Sequence, residues 1–170
     1  MRVIRREESY ESGDSFRLWG LGDFHAGAID FDEAALRRHV KEIAADPFAR
    51  VVLMGDYGDL IDPRRDRRAD SLPIPERYRD AMFAEGGIPS ETVAHVAEII
   101  EPIKDRVIGI LEGNHERMMS KHYFVDIARF LANRFDAPFL GYTALLRLEI
   151  QSKRGPKDHG RVWNVTVFAE

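Results

Sequence analysis

The chain has 170 residues, of which 44% are hydrophobic and 32% are charged, as expected for one globular domain. It contains no cysteine, which excludes disulfides, thiolate metal sites and cysteine nucleophiles, and which fits the cytoplasm as the expected location. A net charge of −4 argues against a strongly basic nucleic-acid-binding domain. No apolar run has the length of a signal peptide or a membrane span, so we expect no membrane partner.

The first half of the chain alternates short apolar strands with amphipathic segments. Residues 16–19 alternate in polarity and enter a glycine-rich turn, and residues 51–54 form a β-branched apolar run, so both predict strands. Between them, Asp32 opens a predicted helix whose apolar side chains recur at helical spacing. Residues 62–89 are rich in charge and proline and predict a surface insertion with a short helix at 76–83.

The next segment repeats the same alternation. Ser90 is the predicted N-cap of a helix, and residues 107–111 predict a third buried strand. A single helix is predicted over 118–135, with Phe124 and Phe130 on its apolar side.

Residues 145–150 and 162–168 predict two further strands joined by a polar loop. Two histidines outside the motifs described below, His39 and His95, are expected on helix surfaces or half-buried. Because strands joined by helices run parallel, the pattern predicts an α/β fold of βαβ units in a single domain over 1–170.

Three of the predicted strands end in the same way, with a glycine followed by side chains that can bind metal. The three ends read Gly22-Asp23-Phe24-His25, Gly55-Asp56-Tyr57-Gly58-Asp59 and Gly113-Asn114-His115-Glu116. Parallel strands carry their carboxyl ends at one edge of a sheet, so we expect the polar residues of these ends to lie together. Carboxylate, imidazole and amide ligands suit Mn²⁺, Fe, Zn²⁺ or Mg²⁺.

The succession D-x-H, G-D-x-x-D and G-N-H-E, each after a predicted strand, resembles the calcineurin-like metallophosphoesterases over about residues 15–120. The resemblance implies a β-sandwich flanked by helices. It also implies hydrolysis of phosphomonoesters or phosphodiesters at two divalent metal ions, with manganese expected first and a bridging hydroxide as the nucleophile.

The resemblance also implies the metal ligands. Asp23 and His25 are expected to bind the first metal, and Asp56 is expected to bridge both metals with one carboxylate. Asn114 is expected to bind the second metal through its amide oxygen.

The remaining motif residues have expected roles beside the metals. The resemblance implies that His115 is not a ligand and instead protonates the leaving oxygen. Glu116 or Asp59 is expected to orient the imidazoles nearby.

The family pattern continues with a histidine after a glycine and then a G-H-x-H motif, and this chain has neither. We therefore expect a C-terminally truncated member with the first two thirds of the family fold and incomplete C-terminal strands. Its metal affinity and its activity are expected to be impaired.

Two alternatives stay open at this point. A cluster of arginines in the predicted insertion has the chemistry to contact substrate phosphates and makes a nuclease acting on DNA or RNA the alternative enzyme: Arg64, Arg65, Arg67 and Arg68. The other alternative is a non-catalytic truncated fragment. The pattern does not fix the substrate or the oligomeric state.

Overall fold

Two β-sheets and a layer of helices make up the fold in the computed structural model, which describes residues 2–11, 13–59, 75–81, 84–85, 87–152 and 161–168. The larger sheet is fully parallel and has the strand order β2, β3, β4, β5. Its strands are β2 (Arg17–Leu21), β3 (Ala49–Leu53), β4 (Val107–Leu111) and β5 (Phe139–Gly141). The chain is therefore an α/β protein, as the sequence predicts.

A second, three-stranded sheet lies against the first. It contains β1 (Arg2–Tyr10), β6 (Thr143–Ser152) and β7 (Arg161–Phe168). Strand β6 pairs in parallel with β1 and antiparallel with β7, which confirms the predicted pairing of the two C-terminal strands.

Five α-helices and one 3-10 helix connect the strands in the described part of the chain. They are α1 (Glu33–Ala45), α2 (Glu76–Ala81), α3 (Gly87–Ile100), the 3-10 helix Glu101–Arg106, α4 (Asn114–Tyr123) and α5 (Ile127–Arg134). The side chain of Asp32 accepts the amide hydrogen of Ala35, which confirms the predicted start of the first helix. None of the described helices is both long and apolar enough to cross a bilayer.

Each face of the parallel sheet has its own apolar core. The larger core combines the strands with the helices and includes the fully buried Ile43, Leu53 and Leu131. A smaller cluster, which includes Leu111 and Leu146, fills the space between the two sheets. The central strands β3 and β4 are thus covered on both sides, which explains why their residues are mostly apolar and buried.

Several elements differ from the prediction. Strand β1 lies in a segment for which no strand is predicted, and the short strand β5 is also unpredicted. Helix α3 begins at Gly87, so the prediction that Ser90 caps it is wrong. His95 has only 4% of its surface exposed, so the prediction that it is half-buried or on a helix surface is wrong as well.

The single helix predicted over 118–135 is two helices, α4 and α5. Phe124 ends the first with a φ of 60° and its surface is 92% exposed, and Phe130 is 55% exposed. Both phenylalanines therefore lie off the apolar face on which they were expected. The reason is that the chain changes direction at Phe124, so the apolar positions of α4 and α5 do not follow one continuous helical repeat.

The segment 62–89, which is predicted to be a surface insertion, contains residues that are buried in the domain. Residues 60–74, which include the four arginines of the predicted cluster, lie outside the described residues. After them, α2 buries Tyr78 and Ala81, and Tyr78 belongs to the larger core. The C-terminal part of this segment thus packs against the domain.

Candidate metal centre

The loop that follows β2 is bound along its length to the loop that follows β3. The amide of Asp23 donates to the carbonyl of Gly55 at 2.9 Å, and the amide of His25 donates to the carbonyl of Asp56 at 3.0 Å. The amide of Ala26 continues the pattern to the carbonyl of Tyr57. These bonds extend the parallel pairing of β2 and β3 beyond the strands and hold the first two motifs side by side.

Three of the motif residues have unusual backbone conformations. Asp23, His25 and Asp56 have φ angles of 60°, 49° and 51°, and only two other non-glycine residues in the described part of the chain have a positive φ. Such conformations are costly for residues with a side chain and persist where the surroundings hold them in place, often at functional sites. The strain therefore coincides with three residues that the resemblance predicts to be metal ligands.

The side chains of these three residues meet. One ligand atom from each of Asp23, His25 and Asp56 lies within 4.8 Å of the other two. The Nε2 atom of His25 is 2.9 Å from Oδ1 of Asp23. Asp56 is buried, whereas Asp23 is exposed, so the group opens from the sheet edge towards solvent.

A second group of possible ligands shares His25 with the first. One atom from each of His25, Asp59 and His115 lies within 4.8 Å of the other two. Nδ1 of His25 is 3.9 Å from Oδ1 of Asp59, and the two imidazole rings are 4.7 Å apart and nearly perpendicular. The G-D-x-x-D motif places Asp59 among the side chains that can bind metal, whereas the resemblance gives it only the role of orienting the imidazoles.

The third motif reaches the same edge through the start of α4. Asn114 is the first residue of this helix, and the amide of His115 donates to Oδ1 of Asp56 at 3.0 Å. The structure thus brings the three motifs together as expected.

The protonation of His115 follows from its partner. Its Nδ1 atom is 2.5 Å from the backbone carbonyl oxygen of Asp59. A carbonyl oxygen only accepts hydrogen bonds, so Nδ1 carries a hydrogen and Nε2 is the atom available to hold or release a proton.

Glu116 has a different environment from the expected one. It is 1% exposed, and its carboxylate accepts the backbone amides of Asp56 (2.8 Å), Tyr57 (2.9 Å) and Gly113 (2.9 Å). Burial raises the pKa of Glu116, and the three amide hydrogen bonds oppose that rise. Glu116 thus connects the second motif to the third. The contacts with the imidazoles of His25 and His115 are made by Asp59 instead.

Glycine is required where the two loops touch. Gly55 has a φ of +98°, and a Cβ atom on it would lie 2.3 Å from the amide nitrogen of Gly113. A Cβ atom on Gly113 would lie 2.3 Å from Oδ1 of Asp56. The close approach of the loops after β3 and β4 therefore leaves no space for a side chain at either position.

An open cavity of about 490 Å³ adjoins this site. Asn114 lines it together with further residues of α4 and with Glu112. Burial raises the pKa of Glu112, and Arg117 opposes that rise. Polar and charged side chains therefore continue from the candidate metal-binding edge along α4.

Comparisons of the chain with protein-family models, with curated proteins and with solved structures found no match. The interpretation of the site therefore rests on the sequence motifs and on their geometry.

Proposed function

We propose that the protein is a metal-dependent phosphoesterase that hydrolyses phosphomonoesters or phosphodiesters. The observation that carries the proposal is the meeting of Asp23, His25 and Asp56 within 4.8 Å at the carboxyl ends of two neighbouring parallel strands. All three have a positive φ, so the fold maintains a costly backbone conformation at the residues that form this group.

The donor set fits hard and borderline divalent cations. Asp23, His25 and Asp56 would hold one ion, and Asp56 with Asn114 would hold a second, through carboxylate, imidazole and amide groups. Asp59 is a further carboxylate within reach of His25. When bound, such cations polarise phosphoryl oxygens and lower the pKa of water.

His115 supplies the proton in this proposal. Because Nδ1 is bound to the carbonyl of Asp59, the imidazole is held with Nε2 available for transfer to the leaving oxygen. Nδ1 of His115 carries a hydrogen whether or not Nε2 is protonated, and the carbonyl of Asp59 accepts a hydrogen bond from it in both states. His115 is therefore a general acid whose ring orientation is fixed before substrate binds.

Metal binding and hydrolysis test the proposal together. We expect calorimetry to show saturable binding of Mn²⁺, and we expect Mn²⁺-dependent release of p-nitrophenol from p-nitrophenyl phosphate or bis(p-nitrophenyl) phosphate. Asp56→Asn should strongly weaken both, because it removes a buried negative charge from the centre of the site. Asp105→Asn, which changes an exposed carboxylate on the 3-10 helix, is the matched control and should retain both.

Two results would contradict the proposal. One is the absence of saturable Mn²⁺ binding to the folded wild-type chain. The other is hydrolysis that persists in excess EDTA or in the Asp56→Asn variant at the wild-type rate.

A further inference from the structure

One face of α4 forms most of the cavity beside the candidate metal centre. Ser120 of α4 lines the cavity, and the other five lining residues of the helix follow at spacings of three, one, three and one: Asn114, Arg117, Met118, Lys121 and His122. Residues three and four apart lie on the same side of a helix, so these side chains form one continuous stripe. The stripe begins at a candidate metal ligand and leads away from it.

The volume of the cavity suits a small molecule. About 490 Å³ lies within the range of roughly 300–1,000 Å³ that is usual for ligand sites. Lys121 follows Asn114 by seven residues, which at 1.5 Å per residue places it about 10 Å further along the helix. A ligand that reaches from the metal centre to Lys121 is therefore larger than one phosphate group.

The charge of the cavity favours an anion. Arg117 and Lys121 carry fixed positive charges, and Glu112 is the single carboxylate among the described lining residues. The guanidinium of Arg117 lies 4.5 Å from the centre of the Tyr142 ring, a contact that limits its orientations. Met118, which is 41% exposed, offers an apolar surface between the two cations for an uncharged part of a ligand.

We propose that this cavity binds a second phosphate group of the substrate while the phosphate that reacts lies at the strand ends. The substrate class is then a small phosphate ester with two phosphate groups, one on each side of an organic part. This inference rests on the proposed function and adds the class of substrate for which the phosphoesterase is specific. Arg117 and Lys121 are the residues assigned to recognise the second phosphate.

Binding of inorganic pyrophosphate to the metal-free protein tests the cavity independently of catalysis. In excess EDTA, calorimetry should show saturable binding of pyrophosphate to the wild-type chain. Lys121→Met should weaken that binding at least about tenfold, because each charge-assisted contact is worth about 1.5–3 kcal/mol. Lys41→Met, which changes an exposed lysine on α1, is the matched control and should leave the affinity unchanged.

A second variant, measured for both binding and stability, separates a loss of pyrophosphate binding from a loss of the folded state. Arg117→Met should weaken pyrophosphate binding as well, and its melting temperature shows whether the loss of the Tyr142 contact has altered the fold. The proposal is overturned if the EDTA-treated wild type does not bind pyrophosphate, or if Lys121→Met and Lys41→Met behave alike. Neither result depends on Mn²⁺ binding, so a failure of the cavity is distinguishable from a failure of the metal centre.

The same variants separate specificity from catalysis in the metal-loaded protein. Lys121→Met should raise KM for a substrate with two phosphate groups, such as a nucleoside 3′,5′-bisphosphate, by a larger factor than KM for p-nitrophenyl phosphate, whereas Lys41→Met should change neither. An equal change in KM for both substrates would overturn the assignment of Lys121 to a second phosphate.

Discussion

Asp56 combines several constraints in one residue. It is 7% exposed, its φ is positive, and its Oδ1 accepts the amide of His115 at the start of α4. A buried carboxylate in this position is costly without compensating charge, and a bound cation would supply that charge. His115 is different because its side chain is half-buried and bound through Nδ1.

These environments predict separate effects of two substitutions. Asp56→Asn should lower the affinity for Mn²⁺ by about 100-fold or more, since even residues that only orient metal ligands are worth about 10–100-fold. His115→Ala should leave Mn²⁺ affinity nearly unchanged and lower the rate of hydrolysis by about 10²–10⁴-fold. Calorimetry and initial rates measure the two effects. Equal losses of Mn²⁺ affinity would instead make His115 a ligand, together with His25 and Asp59.

A second prediction concerns the contact between the loops after β3 and β4. Gly55→Ala should destabilise the protein strongly, because its Cβ would lie 2.3 Å from the backbone of Gly113. Gly141→Ala is the matched control: its φ is also positive, at 76°, but no atom lies within 4 Å of the new Cβ. The control should cost about 1–2 kcal/mol for the backbone conformation alone. Urea denaturation measures both, and similar losses would refute the importance of the close contact.

At the level of the elements, three helices are joined by a hydrogen-bonded chain that runs through the buried side chains of Tyr78 and His95. The Tyr78 hydroxyl on α2 is 3.0 Å from Nδ1 of His95 on α3, and Nε2 of His95 is 2.9 Å from Glu33 on α1. Burial raises the pKa of Tyr78, so its hydroxyl stays protonated and can donate to His95. The Tyr78 ring also lies beside Gly27, two residues after His25, so α2 supports the first motif.

Removal of the Tyr78 hydroxyl should therefore weaken the packing of α2. Tyr78→Phe keeps the ring but leaves Nδ1 of buried His95 without this partner, which should cost about 1–3 kcal/mol of unfolding free energy. Tyr142→Phe, whose ring contacts Arg117, serves as the control and should cost less. Thermal and urea unfolding of the two variants test this, and a larger loss in Tyr142→Phe would argue against the buried chain.

The sequence predicts best the elements that the site depends on. The strands before the second and third motifs are mostly apolar runs followed by glycine, and the strand before the first motif alternates in polarity and enters a glycine-rich turn. Both the type and the ends of these strands could therefore be predicted from the residues. Strand β1 could not, because its apolar positions are sparse and its charges are satisfied by distant residues, as in the pairs Arg5–Glu149 and Glu8–Arg50. The role of Glu116 could not be predicted either, because its three amide partners come together only when the loops fold against each other.

On the scale of the whole molecule, one ion pair connects the two sheets. Arg50 on β3 donates through Nε and Nη2 to the two carboxylate oxygens of Glu8 on β1, each at 2.6 Å. The side chains are only 17% and 12% exposed. Burial raises the pKa of Glu8, but the hydrogen bonds and charges of Arg50 and Arg6 together outweigh burial, so the net pKa is lowered.

The lowered pKa of Glu8 predicts a pH-dependent contribution to stability. Because the folded state favours the charged carboxylate, the contribution is complete above the ordinary glutamate pKa of about 4.3 and is lost as the pH falls through the lowered pKa. Glu8→Gln should therefore cost about 1–3 kcal/mol at pH 7 and progressively less in acid. Urea titrations at several pH values measure this difference. Glu7→Gln, on the same strand but exposed, should show a smaller effect, and a Glu8→Gln deficit that is constant with pH would contradict the argument.

The buried carboxylate of Glu116 has a consequence for the time scale on which the site opens. Its three amide partners, in Asp56, Tyr57 and Gly113, belong to loops rather than to regular strands or helices, yet water does not reach them. Loop amides usually exchange their hydrogens with heavy water quickly, whereas these three should exchange as slowly as core amides. The buried floor of the candidate metal centre would then stay closed to solvent in the absence of any cation, and cation binding would not need to organise it.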